Sequence, residues 1–149
     1  MAEAMFERLV RNKKLPGSWV VASAGTWARD GDEASANGRE LMSSWGMDMT
    51  AHRSRIVHRE LLSSADLILT MEKNHKEAIQ AEFKETAGKV FLLSEMIGAD
   101  REIRDPYGGS MQEYRETAME IAGYLERGLP RILELLDPRN PPPGRLHSA

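Results

Sequence analysis

The N-terminal segment of the chain carries apolar residues at helical spacing. Met1, Met5 and Leu9 share one stripe, with Phe6 and Val10 beside it, over residues 1–13. This pattern predicts an amphipathic helix that buries one face. The segment begins without a Ser, Thr, Asp or Asn that could cap its first turn, so the N–H groups of that turn have no side-chain acceptor.

Three short apolar runs have the length of buried strands, namely Trp19–Ala22, Leu67–Met71 and Val90–Leu93. Between them and after them the spacing is helical again. The predicted helices begin near residues 35, 58, 74 and 114 and end at Gly46, Leu62, Phe83 and Leu136, with Pro130 expected to kink or split the last one.

The alternation of helices with short apolar strands predicts an α/β fold of three layers, in which a short parallel sheet is covered by helices on both faces. Ligands of such sheets bind at the carboxyl ends of the strands. One domain is expected over residues 1–137. Residues 138–149 are rich in proline and are predicted to form a disordered tail.

Composition restricts the partners that this domain is expected to have. The 20 Lys and Arg residues against 23 Asp and Glu residues give a formal net charge of -3, and no basic run suggests nucleic acid. No apolar run is long enough to cross a bilayer, and no secretory signal is recognisable, so a soluble cytoplasmic protein is expected. The four histidines lack the spacing of metal ligands, so neither a metal nor another cofactor is implied.

The sequence Asp105-Pro106-Tyr107-Gly108-Gly109-Ser110 places a carboxylate beside an aromatic ring just before the closing helix. Taken alone, these residues are ordinary turn chemistry, and Ser110 with Glu113 forms a capping box. The segment from His52 to Arg55 is polar and cationic, and taken alone it is a solvated loop. The other motifs of the chain favour a functional interpretation of both segments.

Several motifs together resemble the low-molecular-weight protein-tyrosine phosphatase family in order and approximate spacing. They are Met1-Ala2-Glu3-Ala4, Ser23-Ala24-Gly25-Thr26, Gly46-Met47-Asp48, His52-Arg53-Ser54-Arg55, residues 65–71 and Asp105-Pro106-Tyr107. The turn at Asp105 and the segment of residues 71–76 resemble most closely the bacterial branch that includes protein-arginine phosphatases.

The resemblance implies hydrolysis of phosphomonoesters through a phosphocysteine intermediate. Asp105 is expected to be the general acid and base. Trp27 and Tyr107 are expected to line the substrate cleft, and His52 and Arg55 to support the phosphate loop. The substrate is expected to be a phosphorylated protein, carrying phosphotyrosine or phosphoarginine, or a small aryl phosphate, and the sequence does not decide among these. Oligomeric state stays open.

The chain departs from the family in one respect. Family members carry a first strand and a Cys-x-x-x-x-x-Arg-Ser loop directly before the motif that here begins at Met1, whereas this chain contains no cysteine. We therefore expect the chain as given to be inactive and Met1 to be an internal methionine of a longer, active product. A missing central strand is also expected to leave backbone groups unpaired, at about 1–3 kcal/mol for each buried group.

Two alternatives remain. The first is a degenerate phosphatase fold that acts as a non-catalytic binding module. The second is an unrelated flavodoxin-like or receiver-like domain, ranked last because the apolar runs ending at Met71 and Leu93 are not followed by a cluster of acidic residues.

Overall fold

The computed structural model describes residues 1–139. Most of the predicted proline-rich tail, residues 140–149, lies outside the described residues. The elements in chain order are α1 (Ala2–Asn12), α2 (Ala36–Ser44), α3 (Arg59–Ser64), β1 (Ile68–Thr70), α4 (Lys73–Glu82), a 3-10 helix (Lys84–Lys89), β2 (Val90–Leu92), a second 3-10 helix (Leu93–Ile97) and α5 (Met111–Leu136).

The chain divides into two compact units, and α5 contributes to both. The first unit comprises residues 1–57 and 105–123, and the second comprises residues 58–104 and the chain from Tyr124 onward. The α/β class and the short parallel sheet predicted from the sequence are confirmed. No helix in the described part of the chain is both long and apolar enough to span a membrane.

Helices α1 and α2 of the first unit form where the apolar periodicity predicts them. Met5 and Leu9 of α1 are buried, as their shared stripe requires. Ser35 caps α2 by accepting the N–H of Gly38, and Gly46 follows the helix with φ +79°, a value that favours glycine. The buried apolar residues of this unit are Met5, Leu9, Leu41, Met42, Met47, Met49, Tyr114, Ala118 and Ile121.

The predicted strand at Trp19–Ala22 is wrong. This segment is not a strand, no ladder hydrogen bonds pair it within residues 1–139, and the side chain of Val20 is 91% exposed. A short apolar run becomes a strand only when another strand satisfies its N–H and C=O groups. Instead, Trp19 donates its indole N–H to Pro16 O at 3.0 Å and packs edge-on against Phe6 of α1.

The second unit contains the parallel pair of strands. Ile68 pairs with Val90 and Thr70 with Leu92, and both Val90 and Leu92 are buried. Helix α4 and both 3-10 helices are part of the same unit. Its buried apolar residues are Leu62, Ile79, Phe83, Val90, Leu92, Leu93, Met96, Ile103, Tyr124, Leu125, Leu129, Ile132 and Leu135.

The sequence predicted that Pro130 would kink or split α5. The helix continues through Pro130 and is not split. Pro130 itself is exposed, whereas Leu129 and Ile132 on either side are buried. Their packing holds the backbone helical although the proline lacks one N–H donor.

Candidate active site

The turn at residues 105–110 is held by hydrogen bonds among its own residues. Asp105 Oδ1 accepts the N–H of Tyr107 at 3.0 Å, and Pro106 O accepts the N–H of Gly109 at 2.8 Å. The side chain of Asp105 is exposed, so its carboxylate is open to solvent. The turn therefore presents an acid on a defined backbone at the start of α5.

Neighbouring elements of the first unit hold the far end of this turn. Asn37 of α2 donates its side-chain amide to Gly109 O at 3.2 Å. The carboxylate of Glu113 accepts both the N–H and the hydroxyl of Ser110, which confirms the predicted capping box. A Cβ at Gly109 would lie 2.9 Å from the backbone oxygen of Pro106, so the turn would have to shift to accept a side chain there.

Asp105 lies near the start of α1. Burial lowers the pKa of the Met1 ammonium below its usual value, and the negative charges of Glu3 and Asp105 oppose that shift. The charge of the Asp105 carboxylate therefore reaches Met1, the residue that precedes α1. The N–H groups at this end of α1 have no side-chain cap, and such a helix end attracts anions, including phosphate.

Glu3 in the first turn of α1 contacts two polar side chains. Its Oε2 accepts the hydroxyl of Ser23 at 2.5 Å, and its Oε1 lies 3.7 Å from Nδ1 of His52. The Glu3 and His52 side chains are only 18% and 21% exposed, respectively. His52 is therefore held against α1 rather than standing free on the surface.

Glu3 and Ser23 form a contact that the sequence pattern did not predict. Both lie inside motifs that carry the family resemblance, and this was the one feature of the sequence that could have pointed to them. Their contact joins α1 to a distant loop, so no local periodicity could reveal it.

Trp27 and Tyr107 are the two most exposed aromatic side chains in the described part of the chain, at 88% and 80%. Large aromatic rings exposed to this degree offer flat apolar surface to a ligand. Both rings are therefore accessible to a ligand, and their role as cleft walls stays a prediction.

Arg55 is exposed, and its carbonyl accepts the N–H of Gly25 at 3.0 Å. Within residues 1–139 its guanidinium has no hydrogen bond or ion pair. The expected support of a phosphate loop by His52 and Arg55 also stays a prediction; the structure shows a partly buried contact of His52 with Glu3.

The first unit therefore contains an exposed acid at Asp105, an uncapped helix start at α1 and two exposed aromatic rings. The family model described as low molecular weight phosphotyrosine protein phosphatase matches residues 1–137. The chain belongs to this phosphatase family.

Similar proteins cover most of the length of this phosphatase-family chain. A protein-arginine-phosphatase of Geobacillus stearothermophilus is 36% identical over 124 residues, covering 83% of this chain and 82% of the relative. A probable low molecular weight protein-tyrosine-phosphatase, EpsP, of Ralstonia nicotianae is 36% identical over 131 residues, 88% of each chain.

A solved structure of the YwlE arginine phosphatase, a cysteine-to-serine mutant with a phosphorylated active-site serine, is 33% identical and superposes with a TM-score of 0.83. The match covers 94% of this chain and 90% of that one. The fold of this chain is therefore that of the low molecular weight phosphatases.

The phosphatase-family chain nevertheless contains no cysteine, and so it carries no thiol nucleophile of its own. Within residues 1–139, no group of three or more His, Asp or Glu side chains is arranged to hold a metal ion.

Proposed function

We propose that residues 1–137 form the acid-bearing portion of a protein phosphatase whose cysteine nucleophile is supplied by a loop outside the 149 residues. Phosphorylated proteins are the substrate class of the family. The observation that carries the proposal is the exposed Asp105 carboxylate, which lies on a turn fixed by its own hydrogen bonds and whose charge reaches Met1, the residue before the uncapped first turn of α1. A helix start holds phosphate, and a carboxylic acid beside it can protonate the leaving group.

The proposed reaction has two steps. A thiolate attacks the phosphorus, the bond from phosphorus to the leaving oxygen or nitrogen breaks, and Asp105 gives its proton to that atom. Water then attacks the phosphocysteine, Asp105 takes one of its protons, and the phosphorus–sulfur bond breaks. The second step releases phosphate and restores both the thiolate and the acid.

Two pairs of side chains assist this chemistry in the proposal. Trp27 and Tyr107 contact the planar group of a phosphotyrosine or phosphoarginine side chain. His52, held by Glu3, and Arg55 support the phosphate loop. We also propose a cytoplasmic location, because a reactive thiolate requires a reducing compartment.

The experiment compares two purified proteins with p-nitrophenyl phosphate as substrate. One is the 149-residue chain, and the other is the product translated in frame upstream of the Met1 codon. The first is expected to show no turnover above the buffer rate. The longer product is expected to turn over and, when quenched in acid, to carry one phosphoryl group on a cysteine by mass spectrometry. A longer product without a cysteine loop, or one without activity, would contradict the proposal.

The absence of cysteine favours a second candidate, a non-catalytic binding module with the same fold. A stop codon upstream of Met1, together with a native mass of 16.7 kDa, supports this alternative. A native mass above that value, with a phosphocysteine detected, excludes it.

A further inference from the structure

Trp27 lies on a loop that is fastened to a neighbouring extended segment along most of its length. We call residues 25–33 the Trp27 loop. At its start, Gly25 donates its N–H to Arg55 O at 3.0 Å and accepts the N–H of Val57 at 3.1 Å. At its end, Glu33 forms an antiparallel bridge with Arg53. The two ends are therefore held by main-chain pairing.

Ser54 fastens the middle of the Trp27 loop with four hydrogen bonds. Its N–H donates to Asp32 O and its carbonyl accepts the N–H of Gly31, both at 2.8 Å. Its hydroxyl accepts the N–H of Asp32 at 3.0 Å and donates to Arg29 O. The hydroxyl thus bridges two backbone groups on the C-terminal side of Trp27.

The position of Trp27 depends on these backbone contacts because its side chain is 88% exposed and gains little from packing. On one side of it the backbone is held at Gly25, and directly after it Ala28 donates its N–H to Gly25 O within the loop, at a long 3.4 Å. The first bond from this side to the neighbouring segment is the one from the Ser54 hydroxyl to Arg29 O. Asp30 Oδ1 then accepts the N–H of Ile56 at 2.7 Å. Removal of the Ser54 hydroxyl therefore leaves the segment after Trp27 less restrained.

We propose that Ser54 is a positioning residue that holds the Trp27 loop and makes the Trp27 ring a preorganised surface. A ring fixed before binding spares the ordering entropy that a mobile ring would lose on contact with substrate. Ser54 accordingly improves binding of substrates with a planar group and acts through Trp27. The part that concerns substrate rests on the proposed phosphatase function, whereas the part that concerns loop order does not.

The first test uses the chain as it stands and measures ¹⁵N relaxation at the Trp27 indole and backbone. In Ser54→Ala, the order parameter at Trp27 is expected to fall from about 0.85 to below about 0.6. Exchange of the Asp32 amide hydrogen should accelerate at least about tenfold. Ser54→Thr keeps the hydroxyl and is expected to restore both values. Values for Ser54→Ala equal to those of the unaltered chain overturn the proposal.

Internal and matched controls separate loop release from unfolding. The Trp19 indole, bonded to Pro16 O, and the Met47 amide, bonded to Met42 O, should keep their values in every variant. Ser64→Ala removes a hydroxyl that also donates to a backbone carbonyl, that of Leu61. It is expected to leave Trp27 unchanged. A change of Trp27 order in Ser64→Ala as large as that in Ser54→Ala overturns a specific role for Ser54.

The second test uses the longer active product and a double-mutant cycle on phenyl phosphate. Ser54→Ala and Trp27→Ala should each raise KM several-fold with little change in kcat, and Ser54→Ala should add nothing once Trp27 is removed. If the effects of the two substitutions on KM add, Ser54 does not act through Trp27. If Trp27→Ala leaves KM unchanged, the substrate part fails together with the proposed cleft wall, while the relaxation result alone decides the order of the loop.

Discussion

The Glu3 carboxylate lies 3.7 Å from His52 Nδ1 and accepts the Ser23 hydroxyl at 2.5 Å. These contacts join α1 to two loops of the first unit. Because the bond between Ser23 and Glu3 is partly buried, removal of the Glu3 carboxylate leaves the Ser23 hydroxyl without this acceptor at a site that is only partly open to water. The carboxylate is therefore a structural link as well as a support for the histidine.

We predict that Glu3→Ala lowers the free energy of unfolding by about 1–3 kcal/mol, because the Ser23 hydroxyl loses its acceptor. Urea denaturation followed by circular dichroism measures this change. Glu7→Ala is the matched control, since Glu7 lies on the same helix but is exposed, and it should change stability by less than about 0.5 kcal/mol. Equal effects of the two substitutions would exclude the link.

Trp27→Ala and Tyr107→Ala should separate binding from stability. Because the two side chains are 88% and 80% exposed, each change is expected to alter the free energy of unfolding by less than about 0.5 kcal/mol. In the longer active product, each should raise KM for aryl phosphates about 2- to 10-fold through lost ring contact. Met119→Ala, which removes another exposed apolar side chain, should leave KM unchanged. An unchanged KM in both aromatic variants would be incompatible with their role as cleft walls.

Gly128 of α5 packs closely against Met96 in the second unit. A Cβ added there would lie 2.6 Å from Met96 Cβ. Gly128→Ala is therefore expected to lower the free energy of unfolding by about 1–3 kcal/mol. Helix propensity alone predicts the opposite sign, a gain of up to about 1 kcal/mol. Thermal unfolding decides between the two signs, with Glu120→Ala on the exposed face of α5 as the control. A stabilised Gly128→Ala variant would show that the contact relaxes freely.

Asp137, just after the end of α5, is expected to titrate at a lower pH than an ordinary aspartate. Hydrogen bonds from the Arg139 side chain and backbone lower the pKa of Asp137 from 3.8 to about 2. A depressed carboxyl pKa contributes stability above the unfolded value, and that contribution is lost as pH falls through about 2. In Arg139→Ala, the pKa of Asp137 is expected to return toward 3.8, and an NMR titration of the carboxyl group measures this change. A titration unchanged by this substitution would refute the pairing.

The sequence predicted the helices well because their signals are local. The stripe of Met5 and Leu9 and the capping residues Ser35 and Gly46 each act within one or two turns of a helix. Trp19–Ala22 has the composition of a strand, but strand formation depends on a partner elsewhere in the chain. Local composition cannot supply that information.

The candidate site was predictable only in part for a similar reason. Asp105, Trp27 and Tyr107 were found from motifs, and the structure adds where each of them lies. The contact of Glu3 with His52 and the fastening of the Trp27 loop by Ser54 join segments that are distant in sequence. Such contacts appear only once the chain is folded.

The dependence of turnover on the leaving group, measured in the longer active product, tests most directly whether Asp105 is the general acid. Asp105→Asn should reduce turnover of phenyl phosphate by about 10²–10⁴-fold, because a poor leaving group needs the proton. Turnover of p-nitrophenyl phosphate should fall far less. Asp48→Asn is the matched control, because Asp48 likewise accepts the N–H of the residue two positions on, at 2.9 Å, and it should alter neither rate. Equal losses on both substrates in Asp105→Asn would contradict the assignment of Asp105 as the acid.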